Sequence, residues 1–334
     1  MIEIKESISI TNKCKYLSVN WALMNNCNYK CRYCHPDLNS GSIKYPAYEV
    51  AVKFIENIIS HSKKKGLIPY FEFGGGEVTL LRYFSDIIKI IHEENGLVCI
   101  VSNGSKSLIW WKENAKYLNG VSLSYHVNDI KDEKHFIAVA KILENSKNTR
   151  LHVNVMMDPQ KFTDCYAFAE HLKEQVKCSI ALQPLFKGFG HGGITKKYSY
   201  TDKQESLMQK FRGCHDEKKL PEPRSLLEIK YIDGSKDIRS TFDLLVNDQV
   251  NFTGWDCYAG IESIVITFAG DIYRAWCMQD GVIGSIYNEN IILPTKPISC
   301  HTKICQCCAD ISSTKLNKQL IESMDNTIDV IKIT

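Results

Sequence analysis

From Leu17 to Gln183 the chain alternates short apolar runs with longer amphipathic stretches, and few architectures accept that rhythm. Six runs read as strands: Leu17 to Met24, Ile68 to Phe73, Leu97 to Ser102, Gly120 to Tyr125, Arg150 to Met157 and Cys178 to Gln183. Between them, helical periodicity covers Tyr48 to Lys64, Leu81 to Glu94, Leu108 to Leu118, Lys131 to Ser146 and Phe162 to Gln175. In the first of these, Val50, Phe54, Ile55, Ile58 and Ile59 fall on one side. The pattern implies an α/β fold with parallel strands and crossover helices. Six units are too few to close an eight-fold barrel. In barrels of this kind the chemistry sits at the C-terminal ends of the strands, where one mouth collects the features below.

The first strand runs into Cys27-Asn28-Tyr29-Lys30-Cys31-Arg32-Tyr33-Cys34, three thiols spaced C-x3-C-x2-C. A 4Fe–4S cluster normally takes four cysteine thiolates, so three in one loop leave an iron open to a small molecule. The competing assignment is a zinc site, with His35 completing a Cys3His set. The second strand ends in Gly74-Gly75-Gly76-Glu77. Three glycines remove every Cβ there and let backbone approach a ligand, while Glu77 adds an acceptor. A glycine run alone is more often a plain turn.

Together the two motifs resemble the signature of the radical S-adenosylmethionine (SAM) enzymes. The resemblance implies an open, partial (β/α)6 TIM-type barrel, which the strand count matches. It implies that Cys27, Cys31 and Cys34 hold a 4Fe–4S cluster whose open iron is chelated by SAM. Tyr33 takes the family's aromatic position before the third cysteine. Gly75-Gly76-Glu77, preceded by Gly74, looks like the family's GGE motif, whose backbone binds the SAM amino group; Val78 replaces the usual proline. Ser102, Asn103 and Ser124 resemble strand-end residues that flank the methionyl and ribose groups, and Asn154 is a candidate for the ribose hydroxyls. Ordinary strand-end hydrogen bonds compete with each of these last assignments.

With 334 residues there is room for one large domain and a smaller one. A hydrophobic content of 44% and a charged content of 24% are ordinary for a soluble protein. The net charge of +3 is too small to argue for nucleic acid or membrane. No apolar run approaches the roughly 20 residues that span a bilayer. Met1 to Asn12 lacks a signal-peptide core, so a cytoplasmic location is expected. Fourteen cysteines is a high count there, and their clustering suits metal ligation better than disulfides. Cys14, Cys99, Cys165, Cys178 and Cys214 stand apart and read as buried fillers.

The expected organisation is a barrel over 14–186, a lid and hairpin region over 187–255, and a small hairpin-containing domain over 256–334. Gly188, Gly190, Gly192 and Gly193 surround His191, which could touch substrate but reads more plainly as part of a lid. Leu226 to Ile232 and Ile238 to Val246 flank Asp233-Gly234 as a hairpin, and Ser263 to Phe268 and Asp271 to Trp276 flank Ala269-Gly270 as another. A helix from Lys315 to Met324, capped by Thr314, would close the chain.

Six cysteines lie between Cys257 and Cys308. Their arrangement resembles the auxiliary-cluster extensions called SPASM and Twitch, although the Gly270 to Cys277 interval is longer than usual. The resemblance implies a second 4Fe–4S cluster, Twitch-like, on Cys257, Cys277, Cys305 and Cys307, with Cys300 and then Cys308 in reserve. A structural zinc on four of these thiols is the alternative. The family implies reductive cleavage of SAM to a 5′-deoxyadenosyl radical, with flavodoxin or ferredoxin as reductant. The leading expectation is modification of a peptide or amino-acid-derived substrate. Only 26 residues precede Cys27, so a separate protein would recognise any leader peptide. A dehydrogenase or epimerase of a small carbohydrate-like molecule comes second, and a non-enzymatic iron–sulfur or zinc module third.

Overall fold

The computed structural model describes residues 4–12, 15–187, 196–211, 226–305 and 307–323. His191 with its glycines, Cys14 and Cys214 lie outside them.

The strands of the repeat are β2 (Tyr16–Met24), β3 (Ile68–Gly75), β4 (Leu97–Ser102), β5 (Gly120–Tyr125), β6 (Arg150–Met157) and β7 (Ser179–Pro184), after a first strand β1 (Ser7–Asn12). The crossovers carry α1 (Tyr48–Lys65), α2 (Phe84–Glu93), α3 (Leu108–Asn114), α4 (Glu133–Asn145) and α5 (Phe162–Gln175). β2 to β7 pair in parallel, in sequence order. Period-two alternation then gives the sheet two different faces. Leu17, Val19, Trp21 and Leu23 of β2, with Phe71 and Phe73 of β3, pack against the helices in one continuous core. Trp21 meets Phe54 of α1 edge-on at 5.0 Å. The alternate residues face the lumen and include a polar set: Asn20 and Glu72 pair across β2 and β3, and Ser122, His152 and Ser179 line up across β5, β6 and β7.

The remaining elements are β8 (Phe186–Lys187), β9 (Lys196–Lys197), α6 (Asp202–Lys210), β10 (Leu226–Tyr231), β11 (Lys236–Ser240), α7 (Thr241–Val246), β12 (Asp256–Cys257), β13 (Ser263–Ile266), β14 (Asp271–Tyr273), β15 (Gly284–Ser285), β16 (Ile298–Ser299), α8 (Cys308–Ile311) and β17 (Lys315–Leu316). β8 pairs with β9 alone. A second sheet has the order β11-β10-β1-β17-β12-β16. Its core gathers Ile10, Leu227, Ile229, Leu244, Phe252, Trp255 and Ile311.

The described residues after Asp256 therefore divide between sheets. The β13–β14 hairpin joins the barrel sheet, because β13 pairs in parallel with β2, Ser263 opposite Ser18 and Ile266 opposite Trp21. Two expected elements differ. The strand expected from Ile238 to Val246 ends at Ser240, where a reciprocal capping box with Asp243 starts α7. The expected helix from Lys315 begins instead as β17; residues 318–323 are helical, and the Asn317 side chain rather than Thr314 accepts from the Leu320 amide, at 3.3 Å.

Candidate active site

The Cys27–Cys34 loop leaves the C-terminal end of β2 and is pinned to four neighbouring strand ends in turn. At β3, the Gly76 amide donates to Met24 O at 2.7 Å and the Glu77 amide to Asn26 O at 2.8 Å. At β4, Asn103 Nδ2 donates to Asn28 Oδ1 at 3.0 Å and lies 3.8 Å from Cys27 Sγ, while Asn28 Nδ2 donates to Ser105 Oγ at 2.9 Å. Beyond β5, Asp129 Oδ1 accepts from the Lys30 amide at 3.0 Å. At β6, the Arg32 guanidinium meets both oxygens of buried Asp158 at 2.7 Å and donates to Gln160 Oε1 at 2.8 Å. Fully buried Asn25 closes the base of the loop by donating to Ser40 Oγ at 3.0 Å.

The three thiols pack in one small apolar cluster with Tyr29, Tyr33, Met156 and Leu185. Cys31 is buried and Cys27 and Cys34 are half-buried. Burial pushes all three thiols up, Cys34 to about 11 with Cys27 adding to the effect, and Cys31 further with Asp129 and Cys34 beside it. A ligand set of this kind must release protons to bind metal. His126, just past β5, was not expected from sequence. Its Nδ1 lies 3.4 Å from Cys31 Sγ and is hydrogen-bonded to the Tyr33 hydroxyl, and its ring stacks on Tyr33. Burial pushes it down to about 4, so it is neutral at physiological pH. A polar residue directly after the Gly120–Tyr125 strand was the signal that could have found it.

Among the described residues, no group of three or more His, Cys, Asp or Glu gathers as a single metal ion requires. His35 is turned to its own turn, where Nδ1 accepts from the Asp37 amide at 3.3 Å. What the loop offers is three thiols in one cluster with electrostatic influence on one another, a donor set that suits the separate iron corners of a cluster.

The glycine run packs closely on the chain's own backbone. A Cβ on Gly76 would stand 2.1 Å from Asn26 O, and one on Gly75, at φ +116°, 2.3 Å from Met24 O and 2.7 Å from Phe268 Cε1. These two glycines make way for the chain's own cysteine loop. Gly74 shares the lumen face with Glu72 and has no atom within 4 Å of a Cβ, so its bare Cα opens on the mouth. Glu77 is held by the chain's own donors. Its buried carboxylate accepts from the Thr79 amide at 3.2 Å, Thr79 Oγ1 at 2.6 Å, Ser102 Oγ at 2.9 Å and the Asn103 amide at 2.7 Å. Desolvation nevertheless raises its pKa. Ser102 and Asn103 thus brace β4 and the cysteine loop. Ser124 is buried on β5. Asn154 donates to Ser122 Oγ at 2.9 Å and its Oδ1 lies 3.0 Å from His152 Nε2, whose Nδ1 faces Ser179 Oγ at 3.0 Å.

The C-terminal thiols form a second set. Cys300 and Cys305 are buried in the core of the smaller sheet, with Cys257 packed against it. Cys257 lies close enough to Cys277, Cys300 and Cys305 to push each of them up, after burial. Buried Asp310 accepts from the Trp276 amide at 3.1 Å and the Cys277 amide at 3.3 Å. Cys307 precedes α8 and Cys308 opens it, exposed. Cys165 and Cys178 are core fillers as expected, and half-buried Cys99 lies 2.8 Å from the Tyr70 hydroxyl.

Residues 21–174 match the family model described as the radical SAM superfamily. Two curated relatives are both named S-adenosylmethionine-dependent nucleotide dehydratase. The protein from Selenomonas ruminantium is 32% identical over 96 residues, 27% of this chain and 31% of that one. The protein from Lacinutrix mariniflava is 23% identical over 278 residues, 80% of this chain and 49% of that one. The matches thus span from a third to half of the relatives' lengths. Among solved structures, Streptococcus suis SuiB bound to precursor peptide SuiA has a TM-score of 0.50 at 13% identity, covering 82% of this chain and 63% of that one; the likeness is one of fold. Among the described residues, no helix is long and apolar enough to cross a membrane.

Proposed function

We propose that the chain is a radical SAM enzyme that abstracts hydrogen from a small polar substrate held in the barrel lumen. The observation that carries this reading is the fixing of the three-thiol loop by four strand ends directly above a polar lumen. Cys27, Cys31 and Cys34 fit the ligands of a 4Fe–4S cluster. That group, when bound, supplies the electron that splits SAM into methionine and a hydrogen-abstracting 5′-deoxyadenosyl radical.

The chain's own residues supply placement and exclusion of water. Gly74 leaves room at the mouth for SAM, with the backbone of Gly75 and Gly76 at its edge. Ser124 and Asn154 lie where hydroxyl groups of the nucleoside would be held. Tyr29, Tyr33 and Met156 cover the thiol side of the pocket. Deeper in the lumen, Glu72, Ser122, His152 and Gln183 offer donors and acceptors and little apolar surface, which suits a small molecule rich in hydroxyl or nitrogen groups. The name shared by the curated relatives, nucleotide dehydratase, agrees with that class.

The second reading is modification of a peptide, with a separate protein recognising its leader. It is favoured by the gathered C-terminal thiols, which support a second, Twitch-like 4Fe–4S cluster on Cys257, Cys277, Cys305 and a fourth ligand. Cys300, adjacent to Cys257, is the proposed fourth in place of Cys307. For either substrate a flavodoxin or ferredoxin would be the reductant.

The test is anaerobic reconstitution with iron and sulfide, then incubation with SAM and dithionite. The expected products are methionine and 5′-deoxyadenosine, and their absence would sink the proposal. Deuterium transfer into 5′-deoxyadenosine from labelled nucleotides would support the lumen reading. Transfer only from a labelled peptide would replace it with the second.

A further inference from the structure

The smaller sheet buries a cation beside the second thiol set. Lys315 is only 1% exposed. Its Nζ donates to the carbonyls of Asp310 at 2.7 Å, Ser313 at 3.0 Å and Ile311 at 3.1 Å, and lies 4.9 Å from the Phe252 ring centroid. Those groups solvate the ammonium but do not neutralise it. The nearest carboxylate in sequence, Asp310, is turned to the amides of Trp276 and Cys277. Among the described residues Lys315 has no ion pair. A buried charge without a counterion is costly, and chains seldom retain one without use.

Register places this cation among the thiols. β17 pairs with β12 so that Lys315 stands directly opposite Cys257, and cross-strand partners project to one face. Phe252, which covers the ammonium, shares its core with Cys300 and Cys305. Lys315 is also near enough to Cys300 and Cys305 for its charge to be felt at both.

We infer that Lys315 is the fixed countercharge of an anionic, thiolate-ligated cluster on the C-terminal cysteines, a positioning residue that raises the cluster's reduction potential. The inference rests on the second cluster proposed above. Net charge is one of the levers that set iron–sulfur potentials, and a cation held in a low-dielectric core acts strongly on it.

Lys315→Met in the anaerobically reconstituted full chain is the first test, read by iron analysis and by EPR-monitored redox titration. The expected result is about eight iron per chain, the content of two four-iron clusters, as in the parent, with the second cluster's midpoint shifted negative. Full iron with an unchanged midpoint overturns the inference. Should Lys315→Met lose the second cluster, Lys315→Arg and Lys315→Gln decide between charge and packing. Arg must keep the iron and the midpoint while Gln loses one or the other; equal behaviour of the two overturns the countercharge role. About four iron in the parent chain would instead remove the second cluster itself, and the inference with it.

Discussion

The two cysteine regions solve the same placement problem in different ways. The Cys27–Cys34 loop lies outside both sheets, and side chains hold it: Asn103, Asp129 and Asp158 reach up from three strand ends, and glycine backbone meets it at a fourth. The C-terminal thiols are set by ladder register instead. Cys257 faces Ile298 on one side and Lys315 on the other, and Cys300 and Cys305 follow into the same apolar core. A loop held by polar pins can be loosened one pin at a time, whereas a register moves as a unit. The first arrangement leaves a mouth open to a cofactor. The second buries Cys300 and Cys305 in its core and leaves Cys277 exposed.

The largest test of this contrast is a pair of deletions. Changing Cys27, Cys31 and Cys34 together to Ala is expected to remove about four iron per chain and all 5′-deoxyadenosine formation. Cys257→Ala should also lose about four iron yet keep SAM cleavage without substrate. Equal loss of cleavage in both would mean that the two regions are not independent.

Next comes the brace beneath the loop. Glu77→Leu strands the donors of Thr79, Ser102 and Asn103, and a loss of roughly 3 kcal/mol in denaturant unfolding is expected. Burial lifts the folded pKa of Glu77 above its ordinary 4.5, so the folded state keeps a proton that the unfolded state has released. Its contribution to stability is full below about 4.5 and declines as pH rises toward the folded value. Glu77→Gln should flatten that decline, and parallel pH profiles would show that Glu77 does not titrate this way.

Smaller effects separate the glycines. Gly74→Val should leave iron content intact and weaken SAM binding at least about tenfold, near 1.4 kcal/mol, by calorimetry. Gly76→Val should instead displace the cysteine loop and lose iron. Indistinguishable variants would erase the assignment of separate roles.

The smallest is Arg32→Ala. Asp158 keeps Asn128 Nδ2 at 2.6 Å and the Gln160 amide at 3.0 Å, and Arg32 is nearly half exposed, so about 1 kcal/mol is expected. The sharper readout is faster air oxidation of the first cluster, as the loop loosens. An unchanged oxidation rate would remove the clamp role.

Sequence alone determined the six β/α units, their parallel order and the two strand-end motifs. Periodicity and spacing are local properties, and the apolar run Leu17 to Met24 carries its own consequence. What the strand-end residues do was not legible. Glu77 reads as a free acceptor until Ser102 and Asn103 fold onto it, and no local pattern shows that Gly75 and Gly76 also have to clear Met24 and Asn26. Tertiary structure alone decided that β13 extends the barrel through β2, that β1 crosses to the smaller sheet, and that Arg32 clamps Asp158 while His126 meets Cys31. Lys315 opposite Cys257 belongs with these. Each joins residues far apart in the chain, and such contacts leave no periodic trace because they are selected by burial and pairing after the local elements have formed.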